Sequence, residues 1–233
     1  MKRDVELKTL QRKLKVIFKD ERLLDVAVTH SSYANQKKNI GYNERLEFLG
    51  DSVLQLIITE YLFKNYKNKS EGELSRKRSL IVCENSLFEV AQKWELGQYI
   101  NMSKGEELTG GRDRISILAD CVEAVIAAIY LDKGIEVIKE FVIRNFFNII
   151  EKAMKDEIIL DYKTKLQEKL QERGDVEIIY DLLKYEGPPH RRKFYTQVKL
   201  NDKILGHGSG YSKKQAEQNA AKEAIKIMEE DNE

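Results

Sequence analysis

The chain has 233 residues, of which 42% are hydrophobic and 34% are charged, and its formal net charge at pH 7 is +1. This length allows one or two domains with a real core. Cys83 and Cys121 lie far apart and support neither a disulfide framework nor a zinc site. The N-terminus lacks the apolar core of a signal peptide, and no stretch reaches the roughly 20 apolar residues of a membrane span. We therefore expect a cytoplasmic protein with no membrane and no organic cofactor among its partners.

Residues 1 to about 153 have the apolar spacing of one helix after another, which predicts an all-α N-terminal domain. His30 is the only histidine of this half. A lone histidine is more often a hydrogen-bonded structural group than a ligand, and we expect that role for His30.

A helix is predicted to begin after Asn43, a good N-cap residue. At about 100° per residue, Glu44, Glu47 and Asp51 fall on one narrow side of it, and that side has no cation. Two charged carboxylates about 5 Å apart, at an effective dielectric near 20, repel by roughly 3 kcal/mol. The helix dipole returns about 1 kcal/mol at most. Repulsion therefore dominates unless a positive group arrives.

Gly50 lies inside this predicted helix, where glycine costs about 1 kcal/mol relative to alanine. We expect another backbone to approach it closely. Glu71 begins the next predicted helix, a position at which an acid is favourable without any further role. Farther along, Arg112 and Arg114 precede a second acidic helix, where they could either form salt bridges with its acids or hold phosphates.

The second acidic helix, from Ile115 to Leu131, is apolar nearly all round except at Asp120 and Glu123. No Lys or Arg stands three or four positions from either acid. Unpaired acids in an apolar helix must protonate, find a partner on another element or hold a metal. Carboxylates without nearby His or Cys favour Mg²⁺ or Mn²⁺ over zinc. Solvated acids on an exposed edge, or ion pairs to distant cations, remain the alternatives.

The chain changes character after a short linker that we place at 154–158, between a domain at 1–153 and one at 159–230. The predicted elements of the second domain are a helix at 161–173, strands at 176–185, 193–200 and 203–207, and a helix at 213–228. This α-β-β-β-α order is a small α+β domain.

The start of the last helix has the features of an anion-binding site. Ser212 and Gln215 predict a capping box, and the free N–H groups of the first turn, beside Lys213 and Lys214, favour an anion. Glycines at 206, 208 and 210 allow a close backbone approach, but no βαβ unit surrounds them, so a dinucleotide fingerprint is not supported. Residues 190–214 contain seven Lys or Arg and one acid, which predicts a phosphate-binding edge.

The motifs of the first domain resemble bacterial ribonuclease III. The nine residues from Asn43 to Asp51 match that family's signature without a change, and the stretches 71–76 and 117–124 follow in its order and spacing. Residues from about 159 to 228 resemble a double-stranded-RNA-binding domain, most strongly at 213–217. The resemblance implies an all-α endonuclease and dimerisation domain followed by that small α+β RNA-binding domain.

The resemblance implies a double-stranded-RNA-specific endoribonuclease that processes structured rRNA and other transcripts. It further implies a homodimer in which each site cuts one strand, leaving 5′-phosphate and 3′-hydroxyl ends with a short 3′ overhang. Mg²⁺ is the implied cofactor, and Mn²⁺ is expected to substitute. The implied metal ligands are Glu47, Asp51, Asp120 and Glu123. Asp51 and Glu123 are also the implied catalytic residues, with Glu44 and Glu71 assisting.

Two alternatives stay open beside that function. A non-catalytic double-stranded-RNA-binding protein would share the second domain but would need a degraded acidic set. A helical metal phosphohydrolase or di-iron protein would need His-Asp or Glu-x-x-His ligands, and neither pattern occurs in the sequence.

Double-stranded-RNA-binding domains span about 16 base pairs and read the A-form shape of the duplex. The resemblance implies minor-groove contacts from the first helix and from the Gly-Pro-Pro loop, and phosphate contacts from the last helix. The residues are Thr164, Gln167, Gln171 and His190 for the groove, and Ser212, Lys213 and Lys214 for the phosphates. Solvated surface is the alternative for His190 and the two glutamines.

Three further residues or segments of the first domain gain an interpretation from the resemblance. By pattern alone Phe48 would be a core residue or an exposed contact at an interface, and the resemblance favours the dimer interface. Arg76 to Arg78 predict a solvated or RNA-facing basic turn. Ser31 stands where the family usually has Arg, so we do not expect an RNA contact from that arginine here.

Overall fold

The computed structural model describes residues 2–37, 40–158, 161–171, 176–188, 192–201 and 203–230. The chain divides into two compact units, Met1–Ile158 and Ile159–Glu233. The first is helical and the second is α-β-β-β-α, which confirms the predicted fold class. Within the described ranges, no helix combines the length and the apolar character needed to cross a membrane.

The first unit is a helical bundle throughout its described residues. Its helices are α1 (Lys2–Leu14), α2 (Glu21–Ala27), α3 (Ser31–Ala34), α4 (Glu44–Asn65), α5 (Glu71–Ile81), α6 (Glu84–Trp94), α7 (Lys104–Leu108), α8 (Ile115–Lys133) and α9 (Ile135–Met154). Single 3₁₀ turns at Leu96–Gln98 and Gly111–Asp113 lie between α6 and α8.

Helix α8 lies at the centre of this bundle, because it is apolar on nearly every side. Its residues from Ala124 to Ile129 are completely buried, and α4, α6, α2 and α9 all pack against it. The approach of α4 is closest at Gly50, where an added Cβ would stand 1.8 Å from the carbonyl oxygen of Glu123. This contact confirms the close backbone approach predicted for Gly50.

Two local expectations in this unit are corrected. Asn43 precedes α4, but its side chain makes no capping hydrogen bond; its peptide N–H donates instead to the carbonyl oxygen of Thr29 at 2.9 Å. Lys77, expected in a solvated or RNA-facing turn, is only 2% exposed. It lies three and four positions before Leu80 and Ile81, so helical periodicity places it on the face that packs against α9.

The second unit packs two helices against one face of a three-stranded antiparallel sheet. Its elements are α10 (Tyr162–Gln171), β1 (Ile178–Glu186), β2 (Lys193–Leu200), β3 (Lys203–Gly210) and α11 (Lys213–Glu230), with strand order β1-β2-β3. Tyr180 pairs with Val198 in the register of β1 and β2. Val198 is fully buried with Leu166 of α10 and with Ala220 and Ala224 of α11.

Strand β3 runs three residues beyond the predicted end at His207, because its glycines remain paired with β2. Gly208 allows α11 to lie directly against the strand, since an added Cβ would stand 2.2 Å from the carbonyl oxygen of Ala216. Ala216, Ala220 and Ala224 are completely buried there. The close backbone approach that the glycines of this segment allow is therefore present.

Candidate active site and RNA-binding surface

The contact between Gly50 and the backbone of Glu123 brings the acids of α4 and α8 into one region. Glu47 lies three residues before Gly50, and Asp51 follows it directly. On α8, Asp120 lies almost one helical turn before Glu123, on the same side. The four predicted metal ligands therefore occupy the facing surfaces of the two most closely packed helices.

Electrostatic coupling shows that these carboxylates sense one another. Burial, together with the charges of Asp51, Glu47 and Asp120, raises the pKa of Glu123 to about 8. Burial also raises the pKa of Glu47, and the charges of Asp120, Glu44 and Asp51 add to that rise. The neighbouring charges thus make ionisation of Glu47 and Glu123 less favourable.

The pKa of Asp120 is also raised, by burial first and then by the charge of Glu84, whereas His30 acts to lower it. Asp51 accepts two hydrogen bonds from Nε2 of Gln55, at 2.8 and 3.0 Å. In the described part of the chain, no Lys or Arg forms an ion pair with Glu47, Asp51, Asp120 or Glu123; the ion pairs engage other acids.

Arg112 and Arg114, whose role the sequence left open, form salt bridges within their own loop. Arg112 donates to Glu107 at 2.6 Å and to the carbonyl oxygen of Gly97 at 2.6 Å. Arg114 pairs with Glu106. These arginines stabilise the loop that precedes α8 and leave the carboxylates of α4 and α8 without a cation from it.

The donor set of this region fits a hard divalent cation in its chemistry. Carboxylate oxygens are the ligands that Mg²⁺ and Mn²⁺ prefer, and the raised pKa values mark carboxylates whose charged forms the protein does not balance with a cation. As the side chains stand, no group of three or more His, Cys, Asp or Glu among the described residues has the mutual spacing of a metal site. The fit therefore rests on ligand type, helix placement and electrostatics.

The two auxiliary acids lie in different places. Glu44 is the first residue of α4, and its charge acts on Glu47. Glu71 begins α5, accepts a hydrogen bond from Ser75 at 2.7 Å and lines a cavity of about 730 Å³ with Leu62. Leu62 is eleven residues beyond Asp51, roughly 16 Å along α4. Glu71 is therefore not brought to the four acids of its own chain.

Three residues near the site have roles that sequence reasoning treated only in part or missed. Nδ1 of His30 lies 2.8 Å from Oγ of Ser32 at the start of α3, in keeping with a structural role, yet its charge also reaches Asp120. Gln55 could have been found from its i+4 spacing to Asp51. Glu84 opens a separate helix, and no local spacing connects it to Asp120.

The RNA-binding residues predicted in the second unit are solvent-accessible where the structure describes them. Thr164, Gln167 and Gln171 are exposed on α10 with spacings of three and four residues, which places them on one side of the helix. His190 lies outside the described residues. Lys213 and Lys214 are exposed in the first turn of α11.

The capping box predicted for α11 is half formed. Oγ of Ser212 accepts a hydrogen bond from the N–H of Gln215 at 3.1 Å, as expected. The side chain of Gln215 reaches the N–H of Tyr211, at 2.8 Å, instead of that of Ser212. The helix start is nevertheless fixed, and no carboxylate within the described residues forms an ion pair with Lys213 or Lys214.

Comparisons with known proteins agree with this geometry. A ribonuclease-III-like family model matches residues 20–150, and a double-stranded RNA binding motif matches residues 162–228. The chain is 71% identical to Ribonuclease 3 of Clostridium tetani, over 98% of this chain and 97% of that protein. It is 56% identical to Ribonuclease 3 of Clostridium acetobutylicum, over 96% and 97%.

A solved structure of the nuclease domain of ribonuclease III from Campylobacter jejuni matches with a TM-score of 0.58 and 42% identity. The match covers 61% of this chain and 96% of that one.

Proposed function

The chain belongs to the ribonuclease III family and is a double-stranded-RNA-specific endoribonuclease, and from that premise we propose that four carboxylates of α4 and α8 hold its metal ions. The family is one of metal-dependent nucleases. The observation that carries the proposal is the raised pKa of Glu47, Asp120 and Glu123 in a region to which no described Lys or Arg supplies an ion pair.

Mg²⁺ suits this donor set best, with Mn²⁺ as a substitute, because all four candidate ligands are carboxylates. A bound divalent cation supplies activation of water and stabilisation of the leaving oxygen. Glu47, Asp51, Asp120 and Glu123 would hold it from two rigid helices, so the donors stay aligned while the duplex binds. Gln55 orients Asp51 through its two hydrogen bonds.

We assign duplex recognition to the second unit. The exposed polar face of α10 meets the minor groove through Thr164, Gln167 and Gln171, and the first turn of α11 meets phosphates through Lys213 and Lys214. The supporting feature is that two lysines stand beside the unsatisfied N–H groups at the start of a helix, and both kinds of group favour an anion there. Family membership supports 5′-phosphate and 3′-hydroxyl products and structured transcripts, rRNA included, as substrates.

A homodimer through α4 is supported by an exposed apolar stripe. Phe48 is 80% exposed, Leu56 60% and Phe63 72%. Phe48 lies eight residues before Leu56, about 12 Å along the helix, and Phe63 lies seven residues after it, about 10 Å. A two-fold axis near Leu56 would therefore place each Phe48 against the partner's surface around Phe63. The Campylobacter nuclease domain is itself described as structurally flexible in a region involved in dimer formation.

The cavity of about 730 Å³ beside Phe63 would receive the phenyl ring of Phe48 from the second copy. Its lining residues Leu62 and Leu74 offer apolar surface, and isologous contacts of this kind are self-complementary. Glu71 lines the same cavity. Since Phe48 directly follows Glu47, the dimer would carry Glu71 toward the acidic region of the partner subunit, which gives this acid an auxiliary role that it cannot have within its own chain.

A cleavage assay on the full-length protein tests the metal assignment. We expect a duplex RNA to be cut in Mg²⁺ or Mn²⁺, and to remain intact with chelator, while single-stranded RNA of the same sequence is uncut. Cleavage in chelator would contradict the metal site. Duplex binding without cleavage in any divalent ion would identify a binding-only protein.

A further inference from the structure

Lys77 is a lysine on the buried face of α5, where its side chain is only 2% exposed. Its ammonium donates to the carbonyl oxygen of Ala153 at 2.7 Å and to Oδ1 of Asp156 at 2.7 Å. Arg76, on the exposed side of the same helix, donates to the same carboxylate oxygen at 3.0 Å. A buried charge is stable only when it is paired and hydrogen-bonded, so α5 is fastened to the end of α9 at one defined point.

The end of α9 is shaped around this ammonium. Asp156 has a φ of 58°, a left-handed conformation for which glycine is the usual residue at a helix C-terminus. Its N–H donates to the carbonyl oxygen of Ala153 at 3.2 Å, and the N–H of Glu157 donates to that of Lys152 at 2.9 Å. The Lys77 ammonium satisfies a last-turn carbonyl and complements the negative end of the helix dipole. Asp156 thus supplies a carboxylate where glycine could not.

This clamp, formed by Lys77, Ala153 and Asp156, stands where the chain leaves the first unit. That unit ends at Ile158, whose side chain still packs against the core. The pKa of Asp156 is lowered, chiefly by its hydrogen bond from Lys77, so this carboxylate stays charged at neutral pH. The turn that ends α9 is therefore tied to α5, the helix that begins with Glu71.

We propose that Lys77 is a positioning residue, which fixes the origin of the tether to the RNA-binding unit and so helps to deliver duplex RNA to the catalytic unit. This inference rests on the proposed function. Without the clamp, the last turn of α9 and residues 155–158 are released from α5 and lengthen the connection, or tether, between the two units. The effective concentration of a tethered module falls with about the −3/2 power of tether length, so doubling the tether lowers it about threefold.

The test uses the full-length protein with Lys77→Met, which keeps an apolar stem of similar length, and Lys152→Met as the matched control, because the Lys152 side chain on α9 is 45% exposed and pairs with Glu89. For a duplex long enough to engage the RNA-binding domain, we expect KM to rise about threefold with kcat unchanged. Lys152→Met should leave both constants as they are, because an exposed ion pair contributes little.

A second background separates tethering from folding. In a protein that carries Lys213→Ala and Lys214→Ala, Lys77→Met should add little to KM, because the weakened RNA-binding unit no longer delivers the duplex. An equal increase in both backgrounds would overturn the proposal. Limited proteolysis gives a readout that needs no activity: Lys77→Met should be cut faster between residues 151 and 161, and an unchanged rate would also overturn it.

Asp156→Gly serves if Lys77→Met does not fold, since glycine suits the left-handed conformation but removes the carboxylate. We expect the same rise in KM and the same faster proteolysis, and unchanged values would refute the clamp. If the wild-type protein cuts duplex RNA and both variants behave like the wild type, only the clamp is refuted. A wild-type protein that fails to cut duplex in any divalent ion would refute the proposed function, and the proteolysis result would still decide on the clamp.

Discussion

In the catalytic unit three carboxylates of α4 and α8 have raised pKa values, whereas four acids of the RNA-binding unit, Asp161, Asp181, Glu186 and Glu229, have lowered ones. Burial and like charges raise the pKa of Glu47 and Glu123. Hydrogen bonds and the charge of Lys199 lower the pKa of Asp181, and the N–H of Thr164 lowers that of Asp161. The near-zero net charge of the chain therefore conceals two opposite local arrangements.

The difference shows how each unit is prepared for its ligand. The catalytic unit buries carboxylates on packed helices without a balancing cation, so their charged forms stay unfavourable until a cation binds. The RNA-binding unit pairs its acids, as Lys169 does with Glu229, and leaves Lys213 and Lys214 accessible to phosphate. One unit should therefore respond to divalent metal and pH, and the other to ionic strength.

Removing one central carboxylate should separate the two units most clearly. With Glu123→Gln we expect kcat for duplex cleavage to fall at least about a thousandfold, because a lost metal contact worth several kcal/mol corresponds to about tenfold for each 1.4 kcal/mol. Binding of duplex RNA without metal should be unchanged. The matched control is Glu89→Gln on α6, where an exposed pair with Lys152 is removed. Retained cleavage by Glu123→Gln would refute the assignment.

Dimerisation is expected to depend on the catalytic unit. Truncating Phe48 to Ala should weaken the dimer about a hundredfold, since an aromatic anchor in an interface contributes about 3 kcal/mol. Phe147→Ala, on a 47% exposed phenylalanine of α9, is the control and should leave the dimer intact. Sedimentation at a series of concentrations measures both constants. Equal dimer affinity in the two variants would place the interface elsewhere.

Two glycines in helices should respond to alanine with opposite signs. Gly50→Ala puts a Cβ against the backbone of Glu123 at 1.8 Å, so α4 and α8 must separate, at a cost of about 1–3 kcal/mol. Gly72 in α5 has nothing within 4 Å of an added Cβ, and Gly72→Ala should stabilise by up to about 1 kcal/mol. Thermal unfolding compares them, and a stabilised Gly50→Ala would contradict the close packing.

The sequence predicts the acidic region well because its signals are local. The helical spacing of the apolar residues, the absence of nearby cations and the glycine at position 50 identify the two helices and their contact. The structure places Gly50 against the backbone of Glu123, as expected. The family match in 43–51 supplies the chemistry. The predicted roles of the four acids remain proposals, since a metal would have to draw them to ligand spacing.

What the sequence does not predict depends on contacts between distant segments. Lys77 looks like a surface residue because of its charge, and its partners Ala153 and Asp156 follow 76 and 79 residues later. Glu71 matches its family position, yet only the path of α4 and α5 shows that it lies far from Asp51. Three-dimensional packing, with no local pattern, also brings Glu84 near Asp120.

Between pH 5 and pH 8 the catalytic unit should carry a pH dependence of stability to which the acids with lowered pKa values in the RNA-binding unit do not add. The pKa of Glu123 is raised from 4.5 to about 8, so between these values the folded state holds a proton that the unfolded state has released. The free energy of unfolding should therefore fall as pH rises from 5 to 8, by up to about 1.4 kcal/mol per unit.

Urea unfolding of the metal-free protein at pH 5 and pH 8 measures this dependence, and Glu123→Gln should flatten it. Added Mg²⁺ should stabilise more at pH 8, where the carboxylate is ionised. If the wild type and Glu123→Gln show equal changes between the two pH values, Glu123 does not carry the coupling.

The smallest expected effect reverses the first one, because it weakens binding and spares the chemistry. Lys213→Ala removes one phosphate contact, so the slope of log affinity against log salt should flatten by about one unit, while kcat at saturating duplex stays the same. Lys226→Ala is the control, since this lysine lies three turns along α11 and pairs with Glu230. Filter binding from low to high salt gives both slopes. If Lys213→Ala keeps the wild-type slope, the first turn of α11 does not contact phosphate. Other basic residues of the RNA-binding unit must then bind the phosphates of the duplex.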